Sequence, residues 1–189
     1  MTEVLATEIA EVKIVIPKKF GDHRGFFSET WNRGALTAAG IDTEFIQDNH
    51  AFSAEKGTIR GLHYQLPPKA QGKLVRVTRG AVLDVAVDIR RGSPTFGKHV
   101  AVELSSDNWK QLWVPPGFAH GYCTLTENVE FLYKVDNDYS PEHEAGIIWN
   151  DPALGIDWKL DGSEARLSDK DTILPLLEKQ DQLFEYGDY

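Results

Sequence analysis

Between Ala81 and Ile89 apolar side chains recur at every second position. Leu83, Val85, Val87 and Ile89 share one face, and Val82, Asp84, Ala86 and Asp88 share the other, the period of a β-strand. Arg79-Gly80 separates this run from Lys73–Thr78 and predicts a tight hairpin. Shorter runs at Val12–Ile16, Gly57–Gln65, His99–Leu104, Gln111–Val114, Gly121–Thr124, Val129–Tyr133 and Ile147–Trp149 read as further strands. Helical patterning is sparse. Asn32–Ala39 fits one short helix. Ser168–Gln180 fits a C-terminal one, with Ser168 and Asp171 at capping-box spacing and an apolar stripe of Ile173, Leu176 and Leu177. Pro175 must then lie in the first turns or kink the helix. Many short strands separated by turns predict an all-β sandwich or barrel, with a jelly roll among the solutions. No repeat or Ser/Gly linker divides the 189 residues, so one domain over 1–189 is expected.

Charge narrows the partners. A net charge of −9, from 20 basic and 29 acidic residues, argues against a nucleic-acid binder. A small anionic substrate would need Lys and Arg gathered locally against that field. The single cysteine, Cys123, excludes an intrachain disulfide. The opening MTEVLATEIAEVKIVIPKK lacks the basic start and apolar run of a signal peptide. The most apolar segment is cut by Asp84 and Asp88, so no membrane span is expected. These features predict a cytoplasmic protein.

Six histidines in a β-rich chain raise the question of a metal. Metal-binding cupins carry a His-x-His pair, a nearby Glu and a later His. Here His63 is followed by Tyr64 and Gln65, and the next residues, LPPKAQ, contain no Glu. Only Pro115-Pro116-Gly117-Phe118-Ala119-His120 resembles the second cupin motif. One or two isolated histidines fall short of a three-ligand site, and no metal is expected. Acid–base chemistry remains. A histidine exchanges protons near neutral pH, and a tyrosine hydroxyl is protonated there and can donate. An enolate oxygen needs a positive charge or a donor beside it. Lys73 opens an otherwise mostly apolar strand and is a candidate, although a lysine snorkelling at a strand end accounts for the same pattern.

Seven segments occur in one order: FGDHRGFFSETW (20–31), FIQDNHAFS (45–53), GTIRGLHYQ (57–65), QGKLVRVTRGAVLDVAVDIRRGSPTFG (71–97), WVPPGFAHGY (113–122), EFLYK (130–134) and LSDKD (167–171). Together they resemble the dTDP-4-dehydrorhamnose 3,5-epimerase family, enzymes with a cupin-type jelly-roll barrel, from about Lys18 to Asp171. The resemblance implies His63 as general base, Tyr133 as the acid on the opposite face, Asp171 as the carboxylate paired with the histidine, and Lys73 beside the substrate's C4 oxygen. Asp169 is a neighbouring alternative to Asp171. His120 matches a substrate-contacting histidine that Asp84 could orient; Asp84 could equally be a solvated position or line a barrel cavity. Arg24, Arg60 and Lys170 match contacts to the diphosphate, for which Arg and Lys are suited. Glu29, Gln47, Asp48, Asn49 and Glu144 match other substrate contacts, and Tyr139 matches an aromatic stacked on thymine.

The implied reaction converts dTDP-4-dehydro-6-deoxy-D-glucose to dTDP-4-dehydro-L-rhamnose without a cofactor, because the C4 ketone is the electron sink. The alternatives are a relative inverting only C3 or only C5, a metal-dependent cupin, and a silent sugar-nucleotide binder.

One expectation comes from strand parity alone. Ile59, Gly61 and His63 should point one way, and Arg60 and Leu62 the other. Without a bulge, Arg60 and His63 cannot serve one pocket, and a homodimer in which Arg60 reaches the partner's site would resolve the conflict.

Overall fold

The computed structural model describes residues 2–162 and 164–188. Its strands are β1 (Glu3–Ala6), β2 (Lys13–Ile16), β3 (Lys19–Asp22), β4 (Gly25–Ser28), β5 (Gln47–Ser53), β6 (Ile59–Gln65), β7 (Lys73–Arg79) and β8 (Ala81–Asp88). They continue with β9 (Arg90–Arg91), β10 (His99–Ser105), β11 (Gln111–Val114), β12 (Phe118–Thr124), β13 (Val129–Val135), β14 (Glu144–Gly146) and β15 (Phe184–Glu185). Two sheets form the barrel, one ordered β1-β2-β11-β7-β13-β5 and the other β10-β8-β12-β6-β14. This is the cupin-type jelly roll.

The alternation along β8 explains the layering. Val82 and Ala86 pack with Val75, Val77 and Phe131 of the facing sheet. Leu83, Val85, Val87 and Ile89 pack instead under the C-terminal segments, against Leu154, Trp158 and Leu177. A strand buried on both faces sits inside its sheet, so β8 lies between β10 and β12. The expected β7–β8 hairpin therefore does not form. The chain crosses at Gly80 from one sheet to the other, because β8 needs apolar cover on two sides. The outer face of the larger sheet is closed by helix α1 (Arg33–Ala38), whose Leu36 joins Val15, Leu74 and Trp113. Asn32 caps this helix by accepting from the Ala35 N–H at 3.0 Å.

The expected C-terminal helix is also overturned. Ser168 is an N-cap as predicted, but helix α2 spans only Asp169–Thr172, and a separate 3₁₀ turn covers Leu177–Lys179. Pro175 cannot continue the helix. Its carbonyl accepts instead from the Ile148 N–H, and Ile173, placed in the apolar stripe, is 82% exposed. The strand expected at 147–149 lies three residues earlier, at β14. Beyond α2 the chain docks by its end: β15 runs parallel to β9, and buried Arg90 lies between the rings of Phe118 and Tyr186. Arg90 also donates to Asp88 at 2.8 and 3.0 Å and to Glu11 at 2.9 Å.

The pairing of β6 with β12 corrects the parity argument. Arg60 pairs with Tyr122, but His63 pairs with His120, so three steps on β6 oppose two on β12. Gly61 and Leu62 share the slot opposite Gly121, which is a β-bulge. Gly61 has φ +129°, and a Cβ there would lie 2.6 Å from the Gly121 Cα. Only glycine fits both the dihedral and the space. Leu62 packs outward, while Arg60 and His63 both line one interior cavity.

Candidate active site

The cavity between the sheets has a volume of about 450 Å3. His63 and His120 enter it from β6 and β12, as direct neighbours across that pair. Lys73 and Tyr133 enter from the other sheet. Val135 pairs with Lys73, and Tyr133 follows two residues along on the same face, a diagonal neighbour of the lysine. The Asp136 carboxylate accepts from the Gly72 N–H at 2.7 Å and fixes the backbone just before Lys73.

His63 Nε2 lies 2.6 Å from Asp171 Oδ1. With the ring neutral, Nε2–H donates to the carboxylate and Nδ1 is left as the basic nitrogen. The Ser168 hydroxyl donates to the other oxygen of Asp171 at 2.9 Å, so the same residue caps α2 and orients the acid. Burial would raise the Asp171 pKa, but hydrogen bonding to His63, its charge, and Ser168 outweigh this and hold the carboxyl below its usual range. Asp169, the neighbouring alternative, makes no such bond; its carbonyl accepts from the Thr172 hydroxyl. Burial raises the Tyr133 pKa against the field of Arg60, which keeps its phenol protonated and able to donate. His120 Nε2 lies 2.9 and 3.1 Å from the two oxygens of Asp84, so Asp84 orients the ring from a fully buried position.

Lys73 is held down to about 8 by burial, with Asp84 and Glu144 pulling the other way. Its ammonium therefore loses its proton as pH rises through that value. We expect kcat/KM, which reports the free enzyme, to fall above a pH of about 8, and Lys73→Arg to shift that limb to higher pH. A pH–rate profile of both proteins checks it; an unmoved limb removes Lys73 as the titrating group.

The other sequence-derived residues divide. Arg60 and Lys170 line the cavity. Gln47, Asn49 and Tyr139 line a cleft of about 200 Å3 that shares Tyr133 with it. Glu144 ties the rim together, accepting from Tyr139 Oη at 2.7 Å and from Lys170 Nζ. Asp48 faces away, as its parity on β5 dictates, and accepts from Lys134 at 2.8 Å on the outer surface. Arg24 and Glu29 are also outside the cavity; Arg24 bonds Asp22 on the β3–β4 hairpin. Among the lining residues that sequence reasoning missed are Thr58, Tyr122 and Arg166. Tyr122, two residues after His120 on β12, could have been found by alternation. Among the described residues, no group of three or more His, Cys, Asp or Glu side chains is placed to hold a metal ion.

A jelly-roll barrel with a carboxylate-bonded histidine on one wall and a tyrosine and a lysine on the other defines a cupin-fold enzyme of the acid–base type. Comparison with known proteins gives its particular kind. A family model described as dTDP-4-dehydrorhamnose 3,5-epimerase matches residues 6–179. The curated dTDP-4-dehydrorhamnose 3,5-epimerase of Shigella flexneri is 55% identical over 169 residues, 89% of this chain and 92% of that protein. The crystal structure of the 3,5-epimerase of Legionella pneumophila in complex with dTDP-4-keto-L-rhamnose superposes with a TM-score of 0.94, at 47% identity, over 98% of this chain and 99% of that one. A 3'-monoepimerase of Streptomyces bikiniensis in complex with dTDP-quinovose superposes at 0.85, with 34% identity, over 92% of this chain and 87% of that one. The chain belongs to the dTDP-4-dehydrorhamnose 3,5-epimerase family and is an isomerase.

Proposed function

We propose that this cavity epimerises dTDP-4-dehydro-6-deoxy-D-glucose at C3 and C5 to dTDP-4-dehydro-L-rhamnose, in one cytoplasmic domain and without a metal. The observation that carries the reading is the placement of Asp171-bonded His63 and Tyr133 on opposite walls of one cavity that also holds Lys73. The C4 ketone acidifies the neighbouring C–H bonds. His63 takes the proton from one face, and the electron pair moves onto the C4 oxygen beside the Lys73 ammonium. Tyr133 then donates to the opposite face, and exchange with solvent resets both residues before the second round. The roles follow from the walls on which the side chains stand and from the family pattern of their motifs. Arg60 and Lys170 hold the diphosphate, Tyr139 stacks on the thymine, and Gln47, Asn49, Glu144 and His120 contact the sugar nucleotide.

Turnover in deuterated water tests the reading. Deuterium is expected at both C3 and C5, at an unchanged rate in chelator. Label at one carbon alone would make this a monoepimerase, and loss of turnover in chelator would replace the metal-free scheme.

The homodimer with shared sites belongs to the same proposal, on a different footing from strand parity. Among the described residues the β3–β4 hairpin pairs with no other strand, and Phe20, Phe26 and Phe27 on it are 51%, 58% and 70% exposed. An apolar patch of this kind marks a contact surface. It carries Arg24 and ends beside Glu29, two of the residues that this chain's own cavity does not use. A second copy is the occupant that puts them to use. Arg24→Ala and His63→Ala proteins, each weak alone, should regain about a quarter of the native sites after subunit exchange, one per heterodimer. No recovery on mixing sinks the shared site.

A further inference from the structure

We infer that Arg166 is a third cation that this chain supplies to its own diphosphate subsite, standing at the cavity mouth with Arg60 and Lys170. The inference rests on the nucleotide-sugar reading above and adds a residue to it. Arg166 lines the catalytic cavity, together with Arg60 and Lys170. Its backbone is tied on both sides: its N–H donates to the Gly57 carbonyl, and its carbonyl accepts from the Ile59 N–H, both at 2.9 Å. A parallel bridge sets it beside Thr58. The side chain therefore starts from a fixed point next to the strand that carries Arg60. It also opens the short segment that supplies Ser168, Lys170 and Asp171 to the same cavity.

Charge supports the assignment. The chain is acidic overall, with a net charge of −9. Yet four basic side chains, Arg60, Lys73, Arg166 and Lys170, line this one cavity, and its lining carboxylate, Asp171, is committed to His63. Such a reversal of the global field draws an anion inward. Lys73 belongs to the sugar end beside Tyr133, which leaves the three rim cations for the phosphates.

Arg166 has a counter-ion in Glu55, at 2.7 Å from its Nε. Both side chains are 58% exposed, and an ion pair so open to water holds little free energy. A diphosphate can displace it. The planar fork of an arginine presents five donors, more than one carboxylate accepts, and suits bidentate bonding to phosphate. Glu55 is in this view a placeholder that keeps the guanidinium at the rim until the ligand arrives.

Titration calorimetry with dTDP, inorganic pyrophosphate and thymidine as probes tests this. Arg166→Ala should raise the Kd for dTDP and for pyrophosphate about five- to tenfold, the size of one solvent-exposed hydrogen-bonding contact, and leave thymidine binding unchanged. Glu55→Gln should tighten dTDP in the native background and do nothing in Arg166→Ala. Arg79→Ala removes an equal charge from the far end of β7 and should leave all three affinities unchanged. Equal dTDP and pyrophosphate affinities in native protein and Arg166→Ala would overturn the inference, as would an equal loss in Arg79→Ala. If native protein binds neither dTDP nor pyrophosphate, the nucleotide-sugar reading itself falls.

Discussion

Replacing His63 by alanine should lower turnover by about two to four orders of magnitude, the contribution of a positioned general base. The more telling result is its contrast with Tyr133→Phe. The two residues stand on opposite walls, and in the proposed scheme they act on opposite faces of the same carbon. Without His63 no proton leaves, and deuterium from the solvent should not enter the substrate at all. Without the Tyr133 hydroxyl the base still works, and proton return is possible only from the side it left. Tyr133→Phe should therefore wash deuterium into recovered substrate much faster than it forms inverted product. Proton NMR of the sugar during single incubations reads both quantities. If Tyr133→Phe blocks exchange as completely as His63→Ala does, the two are not base and acid on opposite faces. If His63→Ala still exchanges at the native rate, another group is the base.

The second large effect is on stability and lies far from the chemistry. Arg90→Ala should destabilise the protein by about 3–5 kcal/mol, the range for breaking a buried ion pair by removing one partner. Arg90 is 2% exposed and Asp88 is fully buried. The carboxylate would keep the hydroxyls of Ser93 and Thr95, both at 2.6 Å, but lose the charge that matches it. Burial would raise the Asp88 pKa, but the hydrogen bonds from Arg90, Ser93 and Thr95 hold it below the usual range. A depressed carboxylate pKa contributes stability that is present above its unfolded value and is lost as pH falls through the folded one. The deficit of Arg90→Ala should therefore be large at neutral pH and shrink in acid. Arg90→Met combined with Asp88→Asn should recover part of it, because no unpaired charge remains. Denaturant midpoints at neutral and acid pH measure this. A single mutant within 1 kcal/mol of native at neutral pH would show the pair to be ornamental.

The parts of the fold that were legible in the sequence are those where burial imposes a period. β8 has apolar residues on both faces, and its two sets were separable by parity. The pairing of β7 with β8 was not legible, because a tight turn signal such as Arg79-Gly80 does not say whether the strands it joins lie in one sheet or two. The C-terminal segment misled because helix capping is a local signal and was correct, whereas the extent of α2 was decided by Pro175 and by pairing with distant Ile148. In the site, His63, Lys73, His120, Tyr133 and Asp171 converge as their motifs implied. Asp48 does not, since a motif names positions and a pleat decides which of them face inward. Arg166 was invisible because an arginine in a loop has the look of any surface charge. Its significance lies in the parallel bridge to Thr58, a contact between residues over a hundred positions apart.

The doubled slot at Gly61 and Leu62 has a consequence for how this strand tolerates change. Everything after it is set half a pleat out of step with everything before it. A side chain larger than hydrogen at 61 would favour the regular strand, and His63 would then turn toward the packed layer of Trp158 while Tyr64 turned toward the substrate. Dropping one of the two residues, by contrast, leaves Arg60 and His63 two steps apart and still facing the same way. At this point in the chain a gap between related sequences is milder than a substitution, the reverse of what the middle of a β-strand ordinarily allows.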